Sequence, residues 1–88
     1  MLLRLMTHNV WERDTNTPAW EKLGYDCSAM VRVKGILQVY EETTPDVIGM
    51  QEASSLMVDY IIEDFSQKGK KYSLIWGVLH LLYIIPIN

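Results

Sequence analysis

The sequence predicts an α/β fold in which strands and helices alternate. Three short apolar segments, at residues 2–10, 47–50 and 72–76, have the length and β-branched content of strands. Two longer segments between them carry apolar residues at helical spacing. The order is therefore strand, loop, helix, strand, helix, strand, and we expect parallel pairing through right-handed crossovers. A chain of 88 residues has room for a single core.

The first strand and the loop after it differ sharply in composition. Residues 2–10 are almost continuously apolar, which is typical of a strand buried on both faces. Residues 12–25 mix acidic, amide, proline and glycine residues without a period, so this stretch is predicted to be a loop with at most a turn at residues 20–23. Loops of this length in a compact domain are commonly functional.

The first helix is predicted over residues 28–42. Asp26 or Ser28 can accept hydrogen bonds from its free amides, and Pro45 prevents it from continuing. Its apolar stripe consists of Ala29, Val33, Ile36, Leu37 and Tyr40. Arg32 lies on the exposed side of this pattern and is expected to be solvated.

The second helix follows the strand at residues 47–50. Ser54 is its expected N-cap and Gly69 its expected stop. Its apolar stripe consists of Leu56, Tyr60, Ile61 and Phe65.

The apolar tail, LIWGVLHLLYIIPI at residues 74–87, favours strands over a membrane span. It is 14 residues long, His80 and Pro86 interrupt it, and a spanning helix needs about 20 apolar residues. We expect the tail to supply a fourth strand and His80 to lie in the core; a membrane anchor is the alternative. Such a strand leaves an apolar sheet edge uncovered.

Charge and cysteine content restrict the function only loosely. A net charge of -3 provides no basic field for nucleic acid, although sites that hold a divalent cation are themselves acidic. Cys27 is the only cysteine, so no internal disulfide forms, and we expect it to be buried as a small hydrophobe. The N-terminal residues lack the apolar core of a signal peptide, which leaves a cytoplasmic location as the default expectation.

Two polar residues mark a candidate metal site. Asn9 ends the first strand and Glu52 ends the second, and the carboxyl ends of parallel neighbours meet at one edge of a sheet. A carboxylate beside an amide suits Mg²⁺, which takes few protein carboxylates and keeps several waters. The alternative is a solvated glutamate that caps the next helix.

Two motifs resemble a known family. The segment LRLMTHNVW, at residues 3–11, precedes a helix and then PDVIGMQE, at residues 45–52. Their order and spacing resemble the opening of the endonuclease/exonuclease/phosphatase superfamily, the deoxyribonuclease-I-like fold. The resemblance covers residues 3–54, and YSLIWG at residues 72–77 is loosely similar to the next strand of that family.

The resemblance implies that residues 1–88 are the N-terminal portion of a single, incomplete domain of this kind, a partial deoxyribonuclease-I-like α/β sandwich. It implies a hydrolase that cleaves phosphoesters with Mg²⁺ or Mn²⁺. Glu52 would hold the metal, Asn9 would arrange the site, and Gln51 would support them. The substrate would be nucleic acid, an inositol phosphate or a phospholipid headgroup.

The family's later catalytic elements, an Asp-x-Asn strand and an Asp-His pair, have no counterpart in these residues. We therefore expect the chain to be inactive alone. The alternative is a non-catalytic remnant or interaction module that pairs, or self-associates, through its exposed sheet edge.

Three further residues near the candidate site are expected to be structural. His8 points to the face opposite Asn9, so packing or solvation is favoured over a general-base role. Trp11 and Trp20 could stack on a substrate, but packing of the loop onto the sheet is the favoured interpretation.

Overall fold

The computed structural model describes residues 3–76 and 82–87, which form a mixed α/β domain with one four-stranded sheet and three helices. The α/β class is confirmed, and the predicted strands and helices occur in the predicted order, with one further short helix in the loop after the first strand. The elements are β1 (Leu5–Asn9), α1 (Pro18–Lys22), α2 (Ala29–Thr43), β2 (Val47–Gln51), α3 (Ser55–Gln67), β3 (Lys71–Trp76) and β4 (Leu82–Ile87).

The sheet has the strand order β1-β2-β4-β3. β1 and β2 pair in parallel, as predicted, with Leu5 opposite Val47 and Asn9 opposite Gln51. The expectation of purely parallel pairing is wrong beyond this point, because β4 lies between β2 and β3 and is antiparallel to both. Five residues separate β3 from β4, and a connection that short joins antiparallel neighbours.

The core lies between α2, α3 and one face of the sheet. Each central strand contributes two almost fully buried residues to it, and both helices contribute an apolar stripe. The principal members are Ile48 and Met50 of β2, Leu82 and Ile84 of β4, Val33, Ile36 and Tyr40 of α2, and Met57, Ile61 and Phe65 of α3. The tail therefore supplies a fourth, buried strand, as predicted. The expectation that this strand leaves an apolar sheet edge uncovered is wrong, because β4 pairs with a strand on each side.

The prediction that the first strand is buried on both faces is wrong. Met6 and His8 are half-buried on the helix side, but Thr7 is exposed and Leu5 is 72% exposed. β1 is an edge strand, and α2 and α3 cover only one face of the sheet. We call the other face, which carries Leu5, Ile75 and Tyr83, the outer face.

The limits of α2 follow from local chemistry. The helix ends at Thr43, and Thr44 adopts a left-handed conformation with φ 44° just before Pro45. At its start the backbone N–H of Ser28 donates to the Asp26 carboxylate at 2.9 Å, and this hydrogen bond lowers the pKa of Asp26. The side chain of Ser28 itself makes no capping bond.

The two other helices begin at side-chain caps. Ser54 accepts a hydrogen bond from the Met57 backbone at 3.1 Å, which confirms it as the cap of α3. Thr17 caps α1 in the same way, with Pro18 as the first helical residue, so the predicted turn is a short helix. No helix in the described ranges is long and apolar enough to cross a membrane. His80 lies outside the described residues.

Candidate functional site

The parallel pairing of β1 and β2 brings Asn9 and Glu52 together. Asn9 is the last residue of β1 and lies opposite Gln51, and the backbone N–H of Val10 continues the ladder by donating to the Gln51 carbonyl at 3.0 Å. Glu52 follows immediately on the neighbouring strand. The side-chain amide of Asn9 donates a hydrogen bond to Oε2 of Glu52. The predicted proximity of these two residues is thus confirmed.

The orientation of the Asn9 amide is set by the loop. Its oxygen, Oδ1, accepts a hydrogen bond from the backbone N–H of Trp11 at 3.0 Å, so its nitrogen faces Glu52. The backbones of Trp11 and Glu52 both adopt the left-handed conformation, with φ 56° and φ 55°. This conformation is unfavourable for residues other than glycine. Two of the three non-glycine residues with positive φ in the described chain therefore lie at this site.

Gln51 lies opposite Asn9 in the sheet, but its side-chain hydrogen bond is made within its own strand. It is half-buried, and its side-chain amide donates to the Gly49 carbonyl at 3.4 Å on its own strand. Its supporting role stays a prediction.

The loop after β1 is tied to the starts of α2 and α3 through Asp14. The carboxylate of Asp14 accepts a hydrogen bond from the Ser54 hydroxyl at 2.6 Å, and its backbone carbonyl accepts one from the Ala29 amide at 3.0 Å. Sequence reasoning placed Asp14 in a loop and assigned it no role, since these contacts join Asp14 to residues 15 and 40 positions further along the chain.

Arg32 is not solvated, and that prediction is wrong. Its guanidinium is half-buried and donates hydrogen bonds to four backbone carbonyls around the loop. The helical pattern placed Arg32 correctly outside the apolar stripe, but its side chain is long enough to reach the loop that folds over this side of α2.

The loop tryptophans remain partly exposed. Trp11 lies under the guanidinium of Arg32, which is 5.0 Å from the ring centroid. Trp20 makes an edge contact with Tyr25, within the loop itself. Cys27, expected to be buried, is half-buried, and its thiol donates to the side-chain oxygen of Asn16 at 3.0 Å.

His8 packs on the face away from Asn9, as predicted. Its Nδ1 lies 3.1 Å from the hydroxyl of Tyr40 in α2, and the two rings meet edge to face. Burial raises the pKa of the Tyr40 phenol. The imidazole of His8 is thus engaged with Tyr40 and not with the Asn9–Glu52 pair.

An open groove of about 380 Å³ runs between the end of β1 and α2. Its lining joins the site residue Asn9 to the Arg32–Trp11 pair. The lining residues are His8, Asn9, Val10, Trp11, Arg32, Gly35, Ile36 and Val39.

The donor set at this edge is small. Glu52 is exposed and carries one carboxylate, and the described residues contain no group of three or more acidic, histidine or cysteine side chains placed to hold an ion together. An enclosed protein cage for a metal is therefore not present in the described part of the chain. A partly hydrated ion held by one carboxylate is compatible with this donor set.

Comparison of the chain with protein-family models, with curated proteins and with solved structures finds no significant match.

Proposed function

We propose that the chain is the metal-holding N-terminal portion of a divalent-metal-dependent phosphoesterase of the endonuclease/exonuclease/phosphatase superfamily. The observation that carries the proposal is the contact between Asn9 and Glu52 at the carboxyl ends of two parallel strands. The motifs at residues 3–11 and 45–52, which resemble that family, are the segments that create this contact. The partial deoxyribonuclease-I-like sandwich is part of the same proposal.

The donor chemistry fits Mg²⁺ or Mn²⁺. Asn9 occupies one oxygen of Glu52, and the exposed position of the carboxylate leaves it open to an ion that keeps most of its waters. When bound, such an ion polarises a phosphoryl oxygen and stabilises charge on the leaving oxygen. Glu52 would bind the ion, Asn9 would orient the carboxylate, and Gln51 would support the strand end.

These residues do not supply a complete acid–base apparatus. His8, the histidine nearest in sequence, is engaged with Tyr40 on the opposite face of the sheet. We therefore expect metal binding without turnover in the isolated chain. The substrate class stays as broad as the family resemblance makes it: nucleic acid, inositol phosphate or phospholipid headgroup.

A Mn²⁺ titration followed by NMR tests the metal site. Paramagnetic broadening should begin at the Asn9 side-chain amide and the Glu52 backbone amide, and Glu52→Gln should remove it without unfolding the chain. Glu63→Gln, the same change at an exposed glutamate of α3, is the matched control and should leave the broadening unchanged. Uniform broadening, or equal broadening in the Glu52→Gln variant, would exclude the proposed site.

The edge strand favours a second candidate, an interaction module that pairs through its exposed sheet edge. β1 has a strand on one side only within the described residues, and its Leu5 is largely exposed. Light scattering over a dilution series should then detect self-association that Leu5→Lys abolishes. Leu23→Lys changes an equally exposed leucine in the loop, 67% exposed, and should have no effect. A monomer at all concentrations would reject self-association.

A further inference from the structure

We propose that Arg32 is a positioning residue for the Asn9–Glu52 pair. It holds the loop after β1 in the one conformation in which the Trp11 amide fixes the side chain of Asn9. As a role in metal binding, this inference rests on the proposed function; as a role in orienting Asn9, it is independent of that function.

The guanidinium of Arg32 gathers four carbonyls from two segments. Nε donates to the Cys27 carbonyl at 2.8 Å, just before α2. Nη1 donates to the carbonyl of Val10, and Nη2 donates to the carbonyls of Trp11, at 3.1 Å, and Arg13. Three of the four acceptors therefore belong to the four residues that follow Asn9.

The same contacts determine the direction of the Trp11 backbone. The Trp11 carbonyl accepts from Arg32 and also from the Arg13 amide at 2.7 Å, so the carbonyl of the peptide after Trp11 is fixed by two hydrogen bonds. The peptide before it is held at the Val10 carbonyl. Its N–H is thereby directed at Oδ1 of Asn9, and this bond turns the amide nitrogen of Asn9 toward Glu52.

The charge of Arg32 is committed to this loop. Four of the five N–H donors of its guanidinium bond to backbone carbonyls. The guanidinium also stacks on the Trp11 ring, so Arg32 contacts both the backbone and the side chain of Trp11. These contacts offset the cost of the left-handed conformation at Trp11.

Lysine cannot replace this arrangement. An ammonium group is a point charge without a planar fork, so it reaches one or two of the carbonyls and leaves the others to water. Arg32→Lys thus keeps the charge and the helix but releases the loop. Lys34→Ala, a change of an exposed cation two residues along α2, is the matched control.

The first measurement uses metal-free protein. The ¹H–¹⁵N resonances of the Asn9 side-chain amide should move toward the values of a solvated amide in Arg32→Lys and stay in place in Lys34→Ala. A purely structural arginine would lower the resistance to urea and leave these resonances unchanged in the folded protein. Unchanged Asn9 resonances in folded Arg32→Lys would overturn the proposal.

Trp11→Pro tests the hydrogen bond from the Trp11 amide to Asn9. This variant decides whether the loop orients Asn9 if Arg32→Lys does not fold. Proline removes the N–H that bonds Asn9 and cannot adopt φ 56°, while Arg32 is untouched. The Asn9 resonances should move in the same direction as in Arg32→Lys. Resonances that stay in place would show that the loop does not orient Asn9.

The second measurement is the affinity for Mn²⁺. Loss of a residue that orients a metal ligand typically weakens binding by about tenfold or more, so Arg32→Lys should raise the Mn²⁺ Kd by about that factor. Absence of Mn²⁺ binding in the wild-type chain would reject the proposed function, whereas the Asn9 resonances would still decide the positioning role. Equal Kd values in a wild type that binds Mn²⁺ and in Arg32→Lys would reject the role in metal binding.

Discussion

The placement of β4 in the middle of the sheet predicts a large difference between two isoleucines. Ile84 lies in β4 opposite Ile48, with 0% of its surface exposed, and faces the helices. Ile75 lies in β3 opposite Tyr83 on the outer face, and it is 54% exposed. Truncating both residues to alanine removes the same atoms from two different environments.

The expected magnitudes follow from burial. Ile84→Ala loses the whole transfer free energy of the removed atoms and leaves a cavity, about 3 kcal/mol in total. Ile75→Ala loses about half of the transfer term and leaves no enclosed cavity, about 1 kcal/mol. Ile84→Val, a milder change of about 1 kcal/mol, keeps the comparison measurable if the alanine variant unfolds.

Urea denaturation followed by tryptophan fluorescence measures these differences. With a slope of about 1 kcal/mol per M for a domain of this size, the midpoint should fall by about 3 M for Ile84→Ala and about 1 M for Ile75→Ala. Equal losses for the two alanine variants, or a larger loss at Ile75, would refute the assignment of the inner and outer faces and with it the position of β4.

Three further predictions concern caps, protonation and glycine. Ser54→Ala should lower the unfolding free energy by about 1 kcal/mol, and Ser28→Ala by a few tenths, because only Ser54 makes a capping bond; urea midpoints measure both. Because burial raises the pKa of Tyr40, the contribution of this phenol to stability should be constant well below about pH 10, the pKa of the unfolded phenol, and be lost as the pH rises above it. Tyr40→Phe should therefore flatten the fall in stability above about pH 10 in denaturation series. Gly35→Ala should raise the free energy of unfolding by about 1 kcal/mol, and with it the melting temperature, because nothing lies within 4 Å of the added carbon in this mid-helix position. Gly69→Ala should lower the melting temperature, because Gly69 has φ 71°. The opposite sign at either glycine would contradict the backbone conformations described for them.

Features set by neighbouring residues could be predicted from the sequence. Pro45 ends α2, and Ser54 begins α3, because both act on amides and carbonyls within a few residues. The meeting of Asn9 and Glu52 was also predictable, because it follows from the parallel pairing of two consecutive strands. The two helix boundaries need no longer-range information, whereas the Asn9–Glu52 contact also requires that β1 pairs with β2.

Features set by distant contacts could not be predicted in the same way. The apolar run at residues 82–85 fits a central strand and an outer strand equally well, so its insertion beside β2 depends on which strands pair. The environment of Arg32 could not be predicted for the same reason. Its position outside the apolar stripe of the helix predicts a solvated side chain unless the path of the loop is known. The exposure of β1 likewise depends on the number of layers that cover the sheet.

The left-handed backbone at Glu52 lowers the stability of the fold, while the side chain of the same residue provides the carboxylate of the candidate site. Glycine adopts φ 55° without penalty, so Glu52→Gly should increase stability by roughly 1 kcal/mol while it removes the carboxylate. A glutamate here is a poorer choice for folding than glycine. If the variant proves more stable and no longer binds Mn²⁺, the chain carries a trade-off between stability and ligand chemistry at a single residue. The gain in melting temperature would then measure how much folding free energy is given up to keep an acidic group at this point.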